Sequence, residues 1–260
     1  MSETPPSAAA GSVSRDDGAT IAYDVVPRAP GTDGPGIVFL HGLMSDRGGD
    51  KALCVDAFCR ARGLPGLRFD YYGHGQSSGA FTDGTIGRWA DDAVAVIDQL
   101  TEGPQILDGS SLGGWIMLLA ALKRPERVAA LVGLAPAPDF TEDIMPAVFT
   151  ANHIATLERD GRVDLPSDYG DEPYTITKTL LDEGRDNLVL RAPIPLHVPV
   201  RLIHGMEDAD VPWQTSMRIR EQVASTDVEV TLVKNGDHRL SEPHDLARLE
   251  CVLDALIAAA

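Results

Sequence analysis

The nonapeptide LDGSSLGGW narrows the possible folds of this chain more than any other segment. It places Gly109, Ser111 and Gly113 between a predicted strand, Gln105–Asp108, and an apolar predicted helix, Leu112–Lys123. A sharp strand-to-helix turn strains the central residue, so its neighbours two positions away must be small. Two interpretations remain open. Ser111 either caps the helix in a glycine-rich turn, or its hydroxyl is exposed where the helix N-terminus favours negative charge.

Predicted strands and helices alternate along most of the chain. The run Gly36–Leu40 is continuously apolar, as in strands covered on both faces. The segment Thr85–Leu100 carries an apolar stripe at helical spacing, and Glu242–Ala259 forms a last predicted helix. This alternation indicates the α/β class, with a mostly parallel sheet and helices on both faces.

The alternation predicts a core with one insertion. We expect residues 13–136 and 195–260 to form the core, because the predicted strands lie there. Residues 137–194 combine a predicted helix with polar turns and prolines, and we interpret them as a lid insertion on the C-terminal side of the sheet. The segment MSETPPSAAAGSVSRDDG is acidic and rich in small side chains, and we expect residues 1–12 to form a flexible N-terminus.

Charge and composition exclude several classes of function. The chain has 22 Lys and Arg against 39 Asp and Glu, a net charge of −17, which argues against binding nucleic acid or anionic lipid. No apolar run approaches the roughly 20 residues of a membrane span, and the N-terminus lacks a signal core. Three cysteines without metal-ligand spacing, and the lack of a nucleotide-binding glycine motif, predict no metal and no cofactor. We therefore expect a cytoplasmic protein.

A reactive serine needs a base and an acid, and both are available after later strands. A serine hydroxyl is a weak nucleophile until a base takes its proton. His238 follows the last predicted strand and is the best-placed base for Ser111. Three carboxylates follow the preceding strand, and the residues alone leave the choice among them open: Glu207, Asp208 and Asp210. The resulting chain order is serine, acid, histidine.

Several motifs together resemble the α/β-hydrolase superfamily from about residue 20 to the C-terminus. They are HG at 41–42, GHGQS at 73–77, GSSLGG at 109–114, HGMEDADVP at 204–212 and DH at 237–238. Longer strings are similar to one branch of that superfamily, the mitochondrial palmitoyl-protein thioesterase that is also described as mycophenolic acid acyl-glucuronide esterase. The more specific of them include GPQIL at 103–107 and VPWQTSM at 211–217.

The resemblance implies a fold, a site and a reaction. The fold is the α/β-hydrolase fold, with a mostly parallel eight-stranded sheet, helices on both faces and a helical lid. Ser111 would be the nucleophile and His238 the base, and Asp208 would be the acid because it stands three residues after the glycine of the His-Gly pair. The backbone N–H groups of Leu43 and Leu112 would form the oxyanion hole. These groups would hydrolyse carboxylic esters or thioesters through an acyl-enzyme, on small molecules or on S-acylated protein.

An acyl channel under the lid would need apolar walls. The candidates for these walls are Met44, Trp115, Phe140, Ile144, Met145 and Trp213. Core packing is the alternative for each of them, and we favour it for Trp115, which lies on an apolar helix. Two other functional classes stay open: a non-catalytic binding module, and a C–C hydrolase, perhydrolase or acyltransferase of the same fold.

Asp108 departs from the superfamily pattern, which usually has an apolar residue at this position. A carboxylate at the end of a buried strand needs a partner. We expect either hydrogen bonds from turn amides or an approach to His238, which would favour the charged imidazole.

Overall fold

The computed structural model describes residues 9–166 and 173–260 of the chain. Within these ranges the strands are β1 (Ala9–Ser14), β2 (Thr20–Val26), β3 (Gly36–Leu40), β4 (Gly66–Phe69), β5 (Gln105–Ser110), β6 (Val128–Leu134), β7 (Arg162–Leu165), β8 (Tyr174–Thr177), β9 (Val200–Gly205) and β10 (Val228–Val233). The α-helices are α1 (Asp50–Arg62), α2 (Ile86–Leu100), α3 (Leu112–Lys123), α4 (Phe140–Asp143), α5 (Met145–Val148), α6 (Ala151–Asp160), α7 (Lys178–Gly184), α8 (Gln214–Gln222) and α9 (Pro243–Ala259).

Eight of these strands form one sheet in the order β1-β2-β4-β3-β5-β6-β9-β10. Strand β2 pairs antiparallel with both β1 and β4, and the other neighbours are parallel. The α/β-hydrolase fold class is thereby confirmed. The strand order reverses between β3 and β5, and ligands of open α/β sheets bind at the carboxyl ends of strands at such a point.

Helices cover both faces of the sheet. Helices α1 and α9 pack on one face, where Phe58 and Leu253 belong to the same buried cluster. Helices α2 and α3 pack on the other, where Trp89 and Trp115 are fully buried. Every residue of α3 from Leu112 to Ala121 is buried, which explains why this helix is apolar on all sides. Among the described residues, no helix is both long and apolar enough to cross a membrane.

Strand β1 corrects the prediction of a flexible N-terminus for residues 9–12. These residues pair antiparallel with β2, and a Cβ at Gly11 would lie 2.7 Å from the hydroxyl oxygen of Tyr23. Small residues have weak strand propensity, which made this segment look like a tail, but here their size lets the Tyr23 ring pack across the strand. Residues 1–8 lie outside the described residues.

The predicted insertion, residues 137–194, is not purely helical where the structure describes it. It contains α4 to α7 and a two-stranded antiparallel sheet of β7 and β8, which the sequence analysis missed. The alternation of buried Val163 and Leu165 with exposed neighbours was the available signal. Pro166 and Pro173 follow and precede these strands and led us to interpret the region as turns. Residues 167–172, between the strands, lie outside the described residues.

Candidate active site

Ser111 lies at the turn from β5 into α3, with a strained backbone. Its φ is 54° and its ψ is −119°, a conformation that residues with a side chain seldom adopt and that costs about 1–3 kcal/mol. Ser111 occupies the N-cap position of α3, but its side chain makes no capping hydrogen bond. The structure therefore favours the second interpretation of this turn, in which the hydroxyl is held away from the helix.

The glycines around Ser111 allow the backbone to pack closely on three sides. A Cβ at Gly109 would overlap the carbonyl oxygen of Gly113, and one at Gly113 would overlap the carbonyl oxygen of Leu40. A Cβ at Gly114 would overlap the ring of Pro136. None of the three glycines has a positive φ, so close approach is what requires glycine here.

The structure brings the three predicted triad residues together. Nε2 of His238 lies 2.9 Å from Oγ of Ser111, and Nδ1 of His238 lies 2.8 Å from Oδ2 of Asp208. The three side chains follow the carboxyl ends of β5, β9 and β10. With Nδ1–H donated to the carboxylate, Nε2 of the neutral imidazole accepts the hydrogen bond of the serine hydroxyl.

The loop after β9 fixes the carboxylate of Asp208. Its Oδ1 accepts hydrogen bonds from the backbone N–H groups of Asp210 and Val211, at 2.9 and 2.8 Å. The residues Glu207 and Asp210 are exposed, whereas the side chain of Asp208 is inaccessible to solvent. Of the three carboxylates that the sequence left open, the buried Asp208 is hydrogen-bonded to Nδ1 of His238.

His204 is a residue of this site that the sequence analysis missed. Its Nε2 lies 3.0 Å from the carbonyl oxygen of Val211 and 3.2 Å from Oδ2 of Asp208, and its Nδ1 lies 2.8 Å from Oγ of Ser216. Burial would raise the pKa of Asp208, yet the hydrogen bonds from His204 and His238 hold it well below its usual range. In the sequence, the His-Gly pair at the end of a strand, just before an acid, could have indicated that His204 belongs to the site.

The loop after β3 lies directly beside the serine. A Cβ at Gly42 would be 3.4 Å from Cβ of Ser111. Met44, two residues on, has a φ of 53°. Leu112 opens α3, so its N–H group belongs to the first turn, whose N–H groups have no partner within the helix. Leu43 lies in the loop between Gly42 and Met44, so the two predicted oxyanion donors belong to segments that flank Ser111.

A cavity of about 780 Å³ opens at Ser111 and His238. Four of the apolar candidates line it, together with other apolar residues of the insertion: Met44, Phe140, Ile144, Met145, Val148, Leu165 and Ile176. The cavity therefore lies between the core and the insertion, with the serine hydroxyl at its wall. Its volume is typical of pockets for small organic ligands.

Trp115 and Trp213 need correction, because neither is among the described residues that line the cavity. Trp115 is fully buried, packs edge-on against Phe140 and donates its indole N–H to the carbonyl oxygen of Asn187 at 2.9 Å. Trp213 stands at the N-cap of α8, with its carbonyl oxygen bonded to Ser216. Core packing, the alternative that we favoured for Trp115, fits these two contacts of its side chain.

Asp108 follows neither sequence expectation. It is fully buried, and neither carboxyl oxygen has a hydrogen-bond partner among the described residues. Burial raises the pKa of Asp108 to about 8, against the field of Lys51, which favours its charged form. Burial likewise lowers the pKa of Lys51 to about 8, and its Nζ donates to the carbonyl oxygen of Arg239, the residue after His238.

One group of side chains in the described part of the chain has metal-ligand geometry. Ligand atoms of Asp208, Asp210 and His238 lie within 4.8 Å of one another. Nδ1 of His238 and Oδ2 of Asp208 are already hydrogen-bonded to each other. A metal there would have to displace that hydrogen bond, so the donor set fits a proton-transfer site better than a metal site.

Comparisons with known proteins agree with this fold. Residues 35–164 match the family model described as serine aminopeptidase, S33. The mitochondrial palmitoyl-protein thioesterase ABHD10 of Mus musculus is 45% identical over 226 residues, covering 86% of this chain and 75% of the relative. The structure of mouse alpha/beta hydrolase domain-containing protein 10 superposes with a TM-score of 0.87 at 39% identity, over 96% of this chain and 99% of that one. A crystal structure from Agrobacterium vitis gives a TM-score of 0.91 at 40% identity, over 98% and 100% of the two chains.

The fold, the site and these matches define an α/β hydrolase. Within that superfamily, the chain belongs to the family of the palmitoyl-protein thioesterase ABHD10. It is therefore a hydrolase of the esterase and thioesterase class, and the alternative of a non-catalytic binding module is set aside.

The expectation of a cytoplasmic protein is contradicted by this comparison. The relatives from Mus musculus, Bos taurus and Homo sapiens are all named as mitochondrial. The expectation rested mainly on the N-terminal segment, which lacks the apolar core of a secretory signal. Mitochondrial address segments are amphipathic and rich in arginine, so the lack of an apolar core does not argue against a mitochondrial protein.

Proposed function

We propose that the chain hydrolyses esters and thioesters through a covalent acyl-enzyme on Ser111. The observation that carries this proposal is the continuous hydrogen-bonded series from Ser111 through His238 to Asp208. A serine, an imidazole and a buried carboxylate in this order are what nucleophilic acyl transfer requires.

In the first half-reaction, Oγ of Ser111 attacks the acyl carbon while Nε2 of His238 takes the hydroxyl proton. Asp208 holds the imidazole in the required tautomer and stabilises its charged form. The tetrahedral oxygen accepts hydrogen bonds from the N–H groups of Leu43 and Leu112, each contributing about 3–4 kcal/mol to transition-state stabilisation. The proton then passes from His238 to the departing alcohol or thiol.

In the second half-reaction, water replaces the alcohol or thiol. Nε2 of His238 takes a proton from that water, which attacks the acyl carbon, and the proton returns to Oγ of Ser111 as the carboxylic acid leaves. The same two N–H groups stabilise the second tetrahedral oxygen. The products are a carboxylic acid and a free alcohol or thiol.

The cavity supports an acyl group of substantial length as the substrate. Its apolar wall beside Ser111 includes Phe140, Ile144 and Met145 of the insertion, which in this proposal covers the acyl chain as a lid. The relatives' name, palmitoyl-protein thioesterase, supports S-acylated cysteine as one substrate class. The net charge of −17 favours neutral esters or S-acylated cysteine over highly anionic donors. This repulsion acts over short distances, because salt screens it.

The test compares hydrolysis of an S-palmitoyl peptide and of p-nitrophenyl esters by single-residue variants. Ser111→Ala should reduce kcat/KM by at least about 10⁴-fold, and its neighbour Ser110→Ala should remain active. Asp208→Asn should reduce kcat by about 10⁴-fold, whereas Glu207→Gln, one residue earlier and exposed, should not. Substantial activity in Ser111→Ala would overturn the proposal.

A further inference from the structure

Two buried histidines beside the candidate active site take no part in the triad. His41 follows β3 and is 1% exposed, and His74 lies in the loop after β4 and is 4% exposed. Their ring centroids are 5.1 Å apart. Each ring therefore sits between the two loops that emerge at the carboxyl ends of β3 and β4.

The two rings accept hydrogen bonds in a reciprocal pattern. Nε2 of His41 lies 3.4 Å from the backbone nitrogen of Tyr71, in the loop after β4. Nε2 of His74 lies 3.3 Å from the backbone nitrogen of Met44, in the loop after β3. Each loop thus supplies one imidazole that accepts a backbone N–H from the other loop.

The remaining ring nitrogens determine the tautomer of both histidines. Nδ1 of His41 lies 2.8 Å from the carbonyl oxygen of Gly42, and Nδ1 of His74 lies 3.3 Å from that of Tyr72. A carbonyl oxygen only accepts, so Nδ1 carries the proton in both rings, and Nε2 is left as the acceptor. Burial lowers the pKa of His74 to about 3 and that of His41 to about 4, which keeps both rings neutral.

The backbone that His74 holds is the one beside the serine. Met44 has a left-handed φ of 53°, a conformation that residues with a side chain seldom adopt. Met44 directly follows Leu43 in the chain, and Gly42, the residue before Leu43, packs against Ser111. A further link joins the same two loops, because the backbone N–H of Arg47 donates to Oδ1 of Asp70 at 2.8 Å.

We propose that His74 is a positioning residue for the oxyanion hole: by accepting the N–H of Met44, it holds the loop of Leu43 against Ser111. The inference rests on the proposed function, because it assumes a tetrahedral oxygen at that serine. His74 touches neither substrate nor nucleophile in this role. Its contribution is to fix the direction of a backbone donor before the substrate arrives.

The role predicts a specific change in kinetics. His74→Leu removes the acceptor and should lower kcat for ester hydrolysis by about 10²-fold while KM changes little, because the loop supports the transition state. The affinity for an alkylboronic acid, whose adduct with serine carries a tetrahedral oxygen, should fall in parallel. The affinity for a long-chain fatty alcohol, which needs only the apolar cavity, should not.

Two further variants separate positioning from packing. His74→Gln keeps an acceptor toward Met44 and a donor toward Tyr72, so it should recover most of the lost kcat. Phe81→Leu removes a ring that packs edge-on against His74 at 5.1 Å and leaves the hydrogen bond in place. It should lower the melting temperature without the kinetic change.

The outcomes distinguish this inference from the proposed function. If Ser111→Ala is inactive and folded His74→Leu keeps its kcat and boronic-acid affinity, the positioning role is wrong and the proposed function stands. If His74→Leu fails to fold, the comparison rests on His74→Gln. The role would also be overturned if His74→Gln folds with the melting temperature of Phe81→Leu but does not recover kcat. If Ser111→Ala is active, both inferences fall.

Discussion

Nε2 of His204 lies 3.2 Å from Oδ2 of Asp208, and neither side chain is accessible to solvent. The same carboxylate oxygen is hydrogen-bonded to His238, so Asp208 is held by histidines on two sides and by backbone N–H groups at its other oxygen. A carboxylate with this many donors keeps its charge and its direction.

Replacing His204 should therefore weaken the site without touching the serine. His204→Phe removes the hydrogen bonds that the ring makes with Oγ of Ser216 and with the carbonyl oxygen of Val211, and it should lower the free energy of unfolding by about 1–3 kcal/mol. We expect kcat to fall about tenfold, because Asp208 becomes free to turn away from His238. Steady-state kinetics and urea denaturation would measure both effects. His244→Phe, at an exposed histidine of α9, is the control and should show neither.

The Asp108 carboxyl should reduce stability, increasingly so as the pH rises. Its pKa of about 8 in the folded state exceeds the unfolded value of 3.8, so folding favours its protonated form. The contribution of this group to stability therefore falls as the pH rises from about 4 toward 8. Asp108→Val should raise the free energy of unfolding by about 1–3 kcal/mol at pH 8 and leave activity intact or higher.

The control for Asp108 is a buried carboxyl that is fully paired. Asp70 accepts hydrogen bonds from the backbone of Arg47 and Gln76 and forms an ion pair with the Arg47 guanidinium. Asp70→Asn should lower the free energy of unfolding, the opposite of Asp108→Val. Denaturation at pH 5 and pH 8 gives both comparisons. A large loss of activity in Asp108→Val would show that the carboxyl has a functional role.

Gly113→Ala tests the close approach of α3 to β3. The new Cβ would overlap the carbonyl oxygen of Leu40, a backbone atom that cannot move away, and we expect a loss of about 3 kcal/mol in the free energy of unfolding. Gly103→Ala is the comparison, because its φ is 65° but, apart from its chain neighbours, no atom of the residues that the structure describes lies within 4 Å of the new Cβ. In that variant the free energy of unfolding should fall only by the cost of placing alanine in a left-handed backbone conformation, about 1–2 kcal/mol. Equal losses in thermal or urea denaturation would refute the steric argument.

Filling the cavity from the insertion should change chain-length preference. Ile144→Trp adds volume to the cavity wall, and we expect kcat/KM for a sixteen-carbon ester to fall about 10–100-fold relative to a four-carbon ester. Ile154→Trp makes the same change at the side chain of α6 that is 51% exposed, and it should leave the ratio unchanged. An unchanged ratio in Ile144→Trp, or a flat wild-type profile over acyl length, would rule out an acyl channel at this wall.

Local sequence patterns predicted much of this molecule. Continuous apolar runs and helix-period stripes depend on neighbours in the chain, so β3 and α3 begin and end where the pattern predicted. The spacing of Gly109, Ser111 and Gly113 indicated the turn, because its steric demands lie within five residues. The chain order then led to His238 and Asp208, which the structure places at hydrogen-bonding distance from their neighbours.

Contacts between distant segments could not be predicted in the same way. The pairing of His74 with Met44 joins residues 30 positions apart, and no local pattern specifies it. The position of Trp115 depends on the carbonyl oxygen of Asn187, 72 residues away. Within the described ranges Asp108 has no hydrogen-bond partner, a property that only the surrounding atoms determine.

The central claim is that Ser111 is an activated nucleophile. The most direct measurement is the intact mass of the protein after incubation with a fluorophosphonate, for the wild type, Ser111→Ala and Ser110→Ala. We predict one phosphonyl adduct per chain in the wild type and in Ser110→Ala, and no adduct in Ser111→Ala. An unlabelled wild-type protein, or an adduct that persists in Ser111→Ala, would contradict the account.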